Sequence, residues 1–413
     1  MAQSRRDFLK SVLGAASVVS FTPAVPAILS NAAAAAAESN ARESDTVLVV
    51  MQLSGGNDGL NTVVPVDDDV YGRARKTLRL TKQQVLPFDQ QFGFHPEMQG
   101  FKRLFDEGRL MIVQGVGYPK SDRDHETAIR DWHSARPGDR TCQTGWLGRT
   151  VDRVDRPLEA DVPAALVGSI MKPLAINAES SVIPAVRELR QWTRRDPAGQ
   201  AVPRPPADPV PADGQTLADL VARGTRAAAE MSERVEKVLA DNAAAGSYPN
   251  FRLAGELRTV SQLIQADLGI RIFFVELGGD GFGGFDNHAN QRDNHAALLR
   301  QMSESVAAFV DDLHRQQLLS RVLLMTFSEF GRTVTENGRR GTDHGAAAPL
   351  FLVGGRLKGG LCGDHPSLAD LDQDAQKPLI DFRRVYATVL GPWLGFDPAV
   401  AIEPTFKPLE VLT

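Results

Sequence analysis

Residues 46 to 61 read TVLVVMQLSGGNDGLN. The first half, Thr46 to Leu53, is almost wholly aliphatic, the composition of a short strand buried on both faces. The second half, Ser54 to Asn61, holds Gly55, Gly56, Gly59 and Asp58. Glycine lets a backbone turn sharply and approach a ligand closely. In open α/β sheets, ligands bind outside the carboxyl ends of the strands. The same pairing of strand and polar loop recurs twice. Ile270 to Leu277 leads into GGDGFGGFDNHANQ, residues 278 to 291, and Arg321 to Phe327 leads into SEFGRT, residues 328 to 333, and then GTDHG, residues 341 to 345.

Leu110 to Val116 and Leu350 to Val353 read as further strands, and helical stretches lie between them around Glu97 to Asp106, Leu253 to Asp267 and Asn294 to Gln317. Strands alternating with helices predict an α/β fold, a mostly parallel sheet flanked by helices. Pro197 to Pro211 holds six prolines in fifteen residues, which fits an extended linker or surface loop. An Ala- and charge-rich helical stretch, Leu217 to Ala245, follows it. Residues 192 to 250 are therefore expected to form a Pro-rich linker and helical insertion in one domain spanning 38 to 413, with a separate second domain as the alternative.

The amino terminus carries a different signal. SRRDFLK at residues 4 to 10 sets Arg5 and Arg6 before Phe8 and Leu9, and a weakly apolar run and an alanine tract follow. This is the pattern of a twin-arginine signal peptide, residues 1 to 37, cleaved near Ala37. Its apolar run is too interrupted by Pro23, Pro26, Ser and Gly for a membrane span, which takes about 20 apolar residues. The expected partner is the twin-arginine export machinery, and the expected location is periplasmic or extracellular. Such a route exports folded chains, so a metal can be selected by availability before export.

Composition excludes some classes. Without residues 1 to 37 the 46 basic and 51 acidic side chains lose Arg5, Arg6, Lys10 and Asp7, leaving a net charge of −7, which makes nucleic acid an unfavourable partner. No later segment is long and apolar enough to cross a bilayer. Only Cys142 and Cys362 are present, which is neither a disulfide scaffold nor zinc-ribbon spacing, and their pairing stays open.

Asp58, Asp286, His288, Glu329, Asp343 and His344 place carboxylate and imidazole donors in three loops that follow strands. Asp and Asn beside Gly are ordinary turn residues taken singly. Their joint placement points to one or two divalent ions, and the mixed donor set suits zinc or manganese as well as the harder calcium and magnesium. The segment SDRDHETAIRDWHSA, residues 121 to 135, follows another strand, so that its start can reach the same sheet edge. His95, His314 and His365 read as structural or solvated.

Taken together, LSGGNDGLN, RDHETAIRDW, GGFDNHANQ, FSEFGRT and TDHGAAAPLFLVGG behind a twin-arginine signal resemble the domain-of-unknown-function 1501 family, which is itself similar to the alkaline phosphatase and sulfatase superfamily. The resemblance implies an alkaline-phosphatase-like sheet whose strand ends hold metal and nucleophile. It makes Asp58, Asp286, His288, Glu329 and His344 the metal ligands. Phe330 stands where the superfamily places a His, so one imidazole is missing. Asp124 stands where a serine nucleophile is expected, beside His125.

These readings lead to an exported, metal-dependent hydrolase acting on an anionic phosphate or sulfate ester. Asp124, His125 and Arg332 are its candidate catalytic residues, with Arg332 or Arg123 gripping the anionic oxygens as a fork. The alternative is a non-catalytic, metal-containing envelope or polysaccharide-binding protein of the same fold. The metal reading requires the five ligands to converge at one sheet edge, bordered by the Asp124 and His125 segment.

Overall fold

The computed structural model describes residues 46–153, 164–168, 171–181, 183–187, 189, 232–240, 247–279 and 284–413. Its main sheet contains, in chain order, β1 (Val47–Leu53), β2 (Leu110–Gly117), β3 (Ala164–Val167), β4 (Ala185–Val186), β5 (Ile272–Leu277), β6 (Val322–Phe327), β7 (Ala348–Gly354), β8 (Gly360–Cys362) and β9 (Ile380–Asp381). Across the sheet the order is β8, β2, β7, β6, β1, β5, β3, β4, with β9 also beside β2. β7 is antiparallel to β6 and β2, and every other pairing is parallel. The expected mostly parallel sheet is thus a mixed one with a single reversed strand.

The aliphatic run Thr46 to Leu53 becomes β1, the strand between β5 and β6. Its residues alternate between two cores. Val47, Val49, Met51 and Leu53 pack on one face, and Leu48 and Val50 on the other, all buried. A strand covered on both faces has no polar side to show, which is why its sequence does not alternate. Each such side chain contributes about 1.5–3 kcal/mol on burial.

The helices are α1 (Asp69–Ala74), α2 (Gln99–Asp106), α3 (His125–Ser134), α4 (Trp146–Asp152), α5 (Arg252–Gln265), α6 (Gln291–Arg315) and α7 (Phe382–Thr388); α2 to α7 cover these faces, and α1 packs Tyr71 into a third, smaller core. Phe101 of α2, Leu257 of α5 and Val306 of α6 lie in the first core. Trp132 of α3, Trp146 of α4 and Tyr386 of α7 lie in the second, with the Trp146 and Tyr386 rings stacked 3.9 Å apart.

Register brings the polar loops side by side. Leu53 pairs with Leu277, and Gln52 pairs with both Glu276 and Phe327, so the loops after β1, β5 and β6 leave the sheet at one edge. Cys142 and Cys362 are both free thiols. Among the described residues no helix is long and apolar enough to cross a membrane. The signal at 1 to 37 and the proline-rich stretch at 197 to 211 lie outside the described residues. Of the expected insertion, residues 232–240 are helical and 247–250 are described.

Candidate metal centre

The turn after β1 is built from two glycines that no other residue replaces. Gly55 and Gly56 hold φ of 112° and 79°, in the region that L side chains rarely adopt. A Cβ on Gly55 would lie 2.5 Å from the Asp286 amide nitrogen, and one on Gly56 would lie 2.4 Å from the Phe330 ring. The β1 loop therefore presses directly on the loops that carry Asp286 and Phe330.

Three imidazoles converge on one carboxylate at this edge. Asp286 Oδ1 lies 3.0 Å from His288 Nε2, 3.2 Å from His344 Nε2 and 3.4 Å from His125 Nε2. The Nε2 atoms of His288 and His344 are 2.9 Å apart. Each ring is held from behind through Nδ1. His125 Nδ1 is 2.9 Å from Glu329 Oε1, His288 Nδ1 is 3.0 Å from Asp343 Oδ1, and His344 Nδ1 is 2.6 Å from the Arg123 carbonyl oxygen.

Those outer partners assign the protons. A carbonyl or an ionised carboxylate only accepts, so each Nδ1 carries a hydrogen, and a ring that holds just that one proton turns a bare Nε2 lone pair inward. Three lone pairs and a carboxylate then face one point. The Nε2 atom of His125 is buried and has no hydrogen-bond partner. Buried polar groups are ordinarily satisfied, and two facing lone pairs at 2.9 Å repel. A cation between them removes both faults. Donors on a tetrahedral zinc ion stand about 3.4 Å apart, given bonds of about 2.0–2.2 Å. His125, Asp286 and His344 offer ligand atoms all within 4.8 Å of one another. The residues fit a divalent ion that accepts imidazole, and imidazoles held through Nδ1 by carboxylate or carbonyl are the usual support of such sites.

Electrostatics poise Asp286 and His344 for this. Burial raises the Asp286 carboxyl, but the Arg332 hydrogen bond and charge outweigh it and hold it at about 2. The Glu329 hydrogen bond raises His125 against the effect of burial, so there a cation competes with a proton. Burial lowers His344, and the Arg332 charge adds to it, which favours a neutral ring.

The sequence-expected residues divide into those that meet and those that do not. Asp286, His288 and His344 come together, and His125, expected as a catalytic group beside the centre, stands among them. Glu329 is one step behind: its buried carboxylate accepts from the Gly55 amide at 2.8 Å and holds His125. Asp58 is corrected. Its carboxylate faces Arg75 instead, with Nη1 at 2.6 Å and Nη2 at 3.0 Å, both side chains being buried. Both its oxygens are held by the one guanidinium, whereas Arg332 reaches only Oδ1 of Asp286.

Two catalytic expectations are corrected as well. Asp124 is the N-cap of α3, its side chain accepting from the Thr127 amide at 3.1 Å, an ordinary capping role. Arg332 is fully buried and donates to Gly56 O at 2.7 Å, Thr342 O at 3.1 Å, Phe285 O at 3.0 Å and Asp286 Oδ1 at 2.7 Å, and also to Gly55 O. It rivets three loops and has no fork left for a substrate. Arg123 donates to the Asp372 and Gln373 carbonyls. Phe330, in place of a further imidazole, packs its ring 4.6 Å from His344 and 4.9 Å from His125, an apolar wall for both.

Comparison with known proteins adds context. The chain is similar to the C-terminal periplasmic domain of EcEptC from Escherichia coli in complex with zinc, at 11% identity and a TM-score of 0.42, covering 89% of this chain and 88% of that one. A protein in the alkaline phosphatase superfamily from Vibrio parahaemolyticus matches at 10% identity and a TM-score of 0.37, over 99% of this chain and 80% of that one. The PsFucS1 sulfatase from Pseudoalteromonas sp. matches at 11% identity and 0.37, over 89% and 71%. No curated protein matches the sequence. A family model described as protein of unknown function (DUF1501) matches residues 110–404, most of the chain, and the chain belongs to that family.

Proposed function

We propose that His125, His288, His344 and Asp286 hold a divalent cation of the zinc class, and that the protein is an exported hydrolase of a phosphate or sulfate ester. The observation that carries this reading is the inward turn of three Nε2 atoms toward one carboxylate, each ring fixed through Nδ1. A cation bound there supplies Lewis-acid polarisation of an ester oxygen. The chain's own groups prepare the place. Arg332 keeps Asp286 ionised, Glu329 fixes the His125 ring, and Phe330 excludes water from one side of His125 and His344. With Asp124 committed to the helix cap, water is the attacking group. Its oxygen bonds to phosphorus or sulfur, the ester bond breaks, and the alcohol leaves with a proton.

Export follows from SRRDFLK, which directs the chain to the periplasm or beyond. Changing Arg5 and Arg6 together to Lys leaves the precursor in the cytoplasm, read by fractionation. Mature protein in the periplasm of that variant rejects the route.

A second reading is favoured by one observation: Arg332, the cation nearest the centre, is spent on backbone carbonyls. In that reading the protein holds the metal without turnover. Metal analysis of natively exported protein, followed by a screen of phosphate and sulfate esters, separates the two. Turnover that disappears in His344→Ala supports the hydrolase, and stoichiometric metal with no turnover of either ester class overturns it.

A further inference from the structure

Beside the metal centre lies a cavity of about 760 Å³ that no step above uses. It shares α3 and the end of β5 with the centre and is closed by β1, residues 171–174 and Arg252. Gln52 stands at the end of β1, Glu276 at the end of β5, and Glu126, Arg130 and His133 along one face of α3, the helix that begins with His125. The volume lies in the range of about 300–1,000 Å³ typical of small-molecule sites, well beyond the needs of a lone phosphate or sulfate group.

The lining chooses among occupants by elimination. Glu126 and Glu276 balance Arg130 and Lys172, and Arg252 is paired with Glu256 at 2.9 Å, so the lining holds no surplus positive charge for a polyanion. Arg130 and Lys172 oppose an acyl chain, since apolar contact would strip water from their charges. No Phe, Tyr or Trp is among the lining residues, so a nucleobase finds no stacking platform. What remains is a charge-balanced polar lining beside the apolar Ile129, Pro173 and Leu174, which suits both the hydroxyls and the C–H faces of a sugar. At the floor, His133 Nε2 lies 2.7 Å from Gln52 Oε1, and Gln52 Nε2 donates to Ser54 Oγ at 2.7 Å. Gln52 and His133 are both buried, and burial holds His133 neutral. A fixed amide with a neutral imidazole behind it presents a preset pattern rather than a mobile charge.

We propose that this cavity binds a neutral polyhydroxylated group, a carbohydrate, which in an ester substrate is the alcohol portion attached to the anion at the metal centre. The second clause rests on the hydrolase reading; the binding of the carbohydrate itself does not.

The test uses the full mature protein and a panel of neutral disaccharides: maltose, cellobiose, lactose and chitobiose. Binding is followed by saturation-transfer NMR and calorimetry. At least one binds at millimolar concentration or tighter, and Leu174→Trp, which fills the cavity from its apolar wall, weakens it at least tenfold. Gln52→Leu, which removes the floor amide, does the same, while both variants keep wild-type metal content and melting temperature. If one variant fails to fold, the other still decides. Absence of binding across the panel, or binding untouched by the variants, overturns the proposal. Protein freed of metal by chelation retains disaccharide binding, so a failure of the metal reading is seen separately. Ester turnover without disaccharide binding sinks the cavity and leaves the hydrolase standing.

Discussion

His288 and His344 present Nε2 to Nε2 at 2.9 Å, from loops 56 residues apart in the chain. The contact holds only because Asp343 and the Arg123 carbonyl take both Nδ1 hydrogens from behind. A cation that relieves this opposition binds the folded state and not the unfolded one. Zinc added to chelator-treated protein is therefore expected to stabilise it by about 2.7 kcal/mol at one hundred times the dissociation constant. Thermal melts with and without zinc read the shift, several degrees upward in wild type and near zero in His288→Ala. Equal shifts in both remove His288 from the site.

Glu329 and Asp124 differ in a way that one comparison exposes. Glu329 supports His125 from behind, and loss of such a partner typically lowers metal affinity about 10–100-fold. Glu329→Gln is expected to fall in that range by competition with a chromogenic chelator. Asp124→Ala loses a helix cap worth about 1 kcal/mol and keeps wild-type affinity. A reversed order would restore Asp124 to the centre.

The strands were legible because burial on both faces writes unbroken aliphatic runs, and TVLVVMQL, IRIFFVEL and the run at 321 to 327 became three adjacent strands. β3, β4, β8 and β9 were not, since two to four residues give no period to read. The loops were legible as a group because glycine and acid cluster after each strand. Roles within them were less so. Asp58 looked like a ligand, because nothing in YGRARK marks Arg75 as the one basic residue there that turns fully inward. Asp124 did carry a readable sign: an acid just before a helical stretch, three residues ahead of Thr127, is a capping pattern. His125 gave no sign of the ligand role proposed for it, since its partners Glu329 and Asp286 lie far along the chain.

His133 makes stability depend on acid. Buried against Gln52, it is pushed down to about 3, whereas an unfolded histidine titrates near about 6.5. The folded state keeps the ring neutral, so its contribution is whole above the unfolded value. As pH falls below that value the unfolded chain takes the proton first and stability drops, until the folded value is passed. The slope is at most about 1.4 kcal/mol per pH unit for one such group. Urea midpoints at pH 7, 6 and 5 measure it, and His133→Gln flattens the decline by that share. An unchanged slope in the variant removes His133 as its source.

Asp58 and Arg75 supply the sharpest test of what the GGND loop does. Burial raises the Asp58 carboxyl, yet the Arg75 charge and hydrogen bonds overcome it and leave it below the ordinary value. Arg75 also donates to Thr333 O at 2.8 Å and Val334 O at 2.6 Å, which ties the segment after Arg332 to the β1 loop. Gln291 continues the tie, donating to Asp58 Oδ2 and accepting from Thr342 Oγ1 at 2.7 Å, two residues before His344. Removing one partner of a buried pair leaves the other charge uncompensated, at a cost of about 3–5 kcal/mol. Asp58→Asn and Arg75→Met are each expected to lose stability on that scale by urea unfolding. Because the carboxylate serves Arg75 and not a cation, the molecules that remain folded keep wild-type zinc stoichiometry. A ligand behaves in the opposite way, with metal lost and stability of the metal-free protein little changed. Should Asp58→Asn show that second pattern, the aspartate returns to the metal centre and the ion pair is secondary.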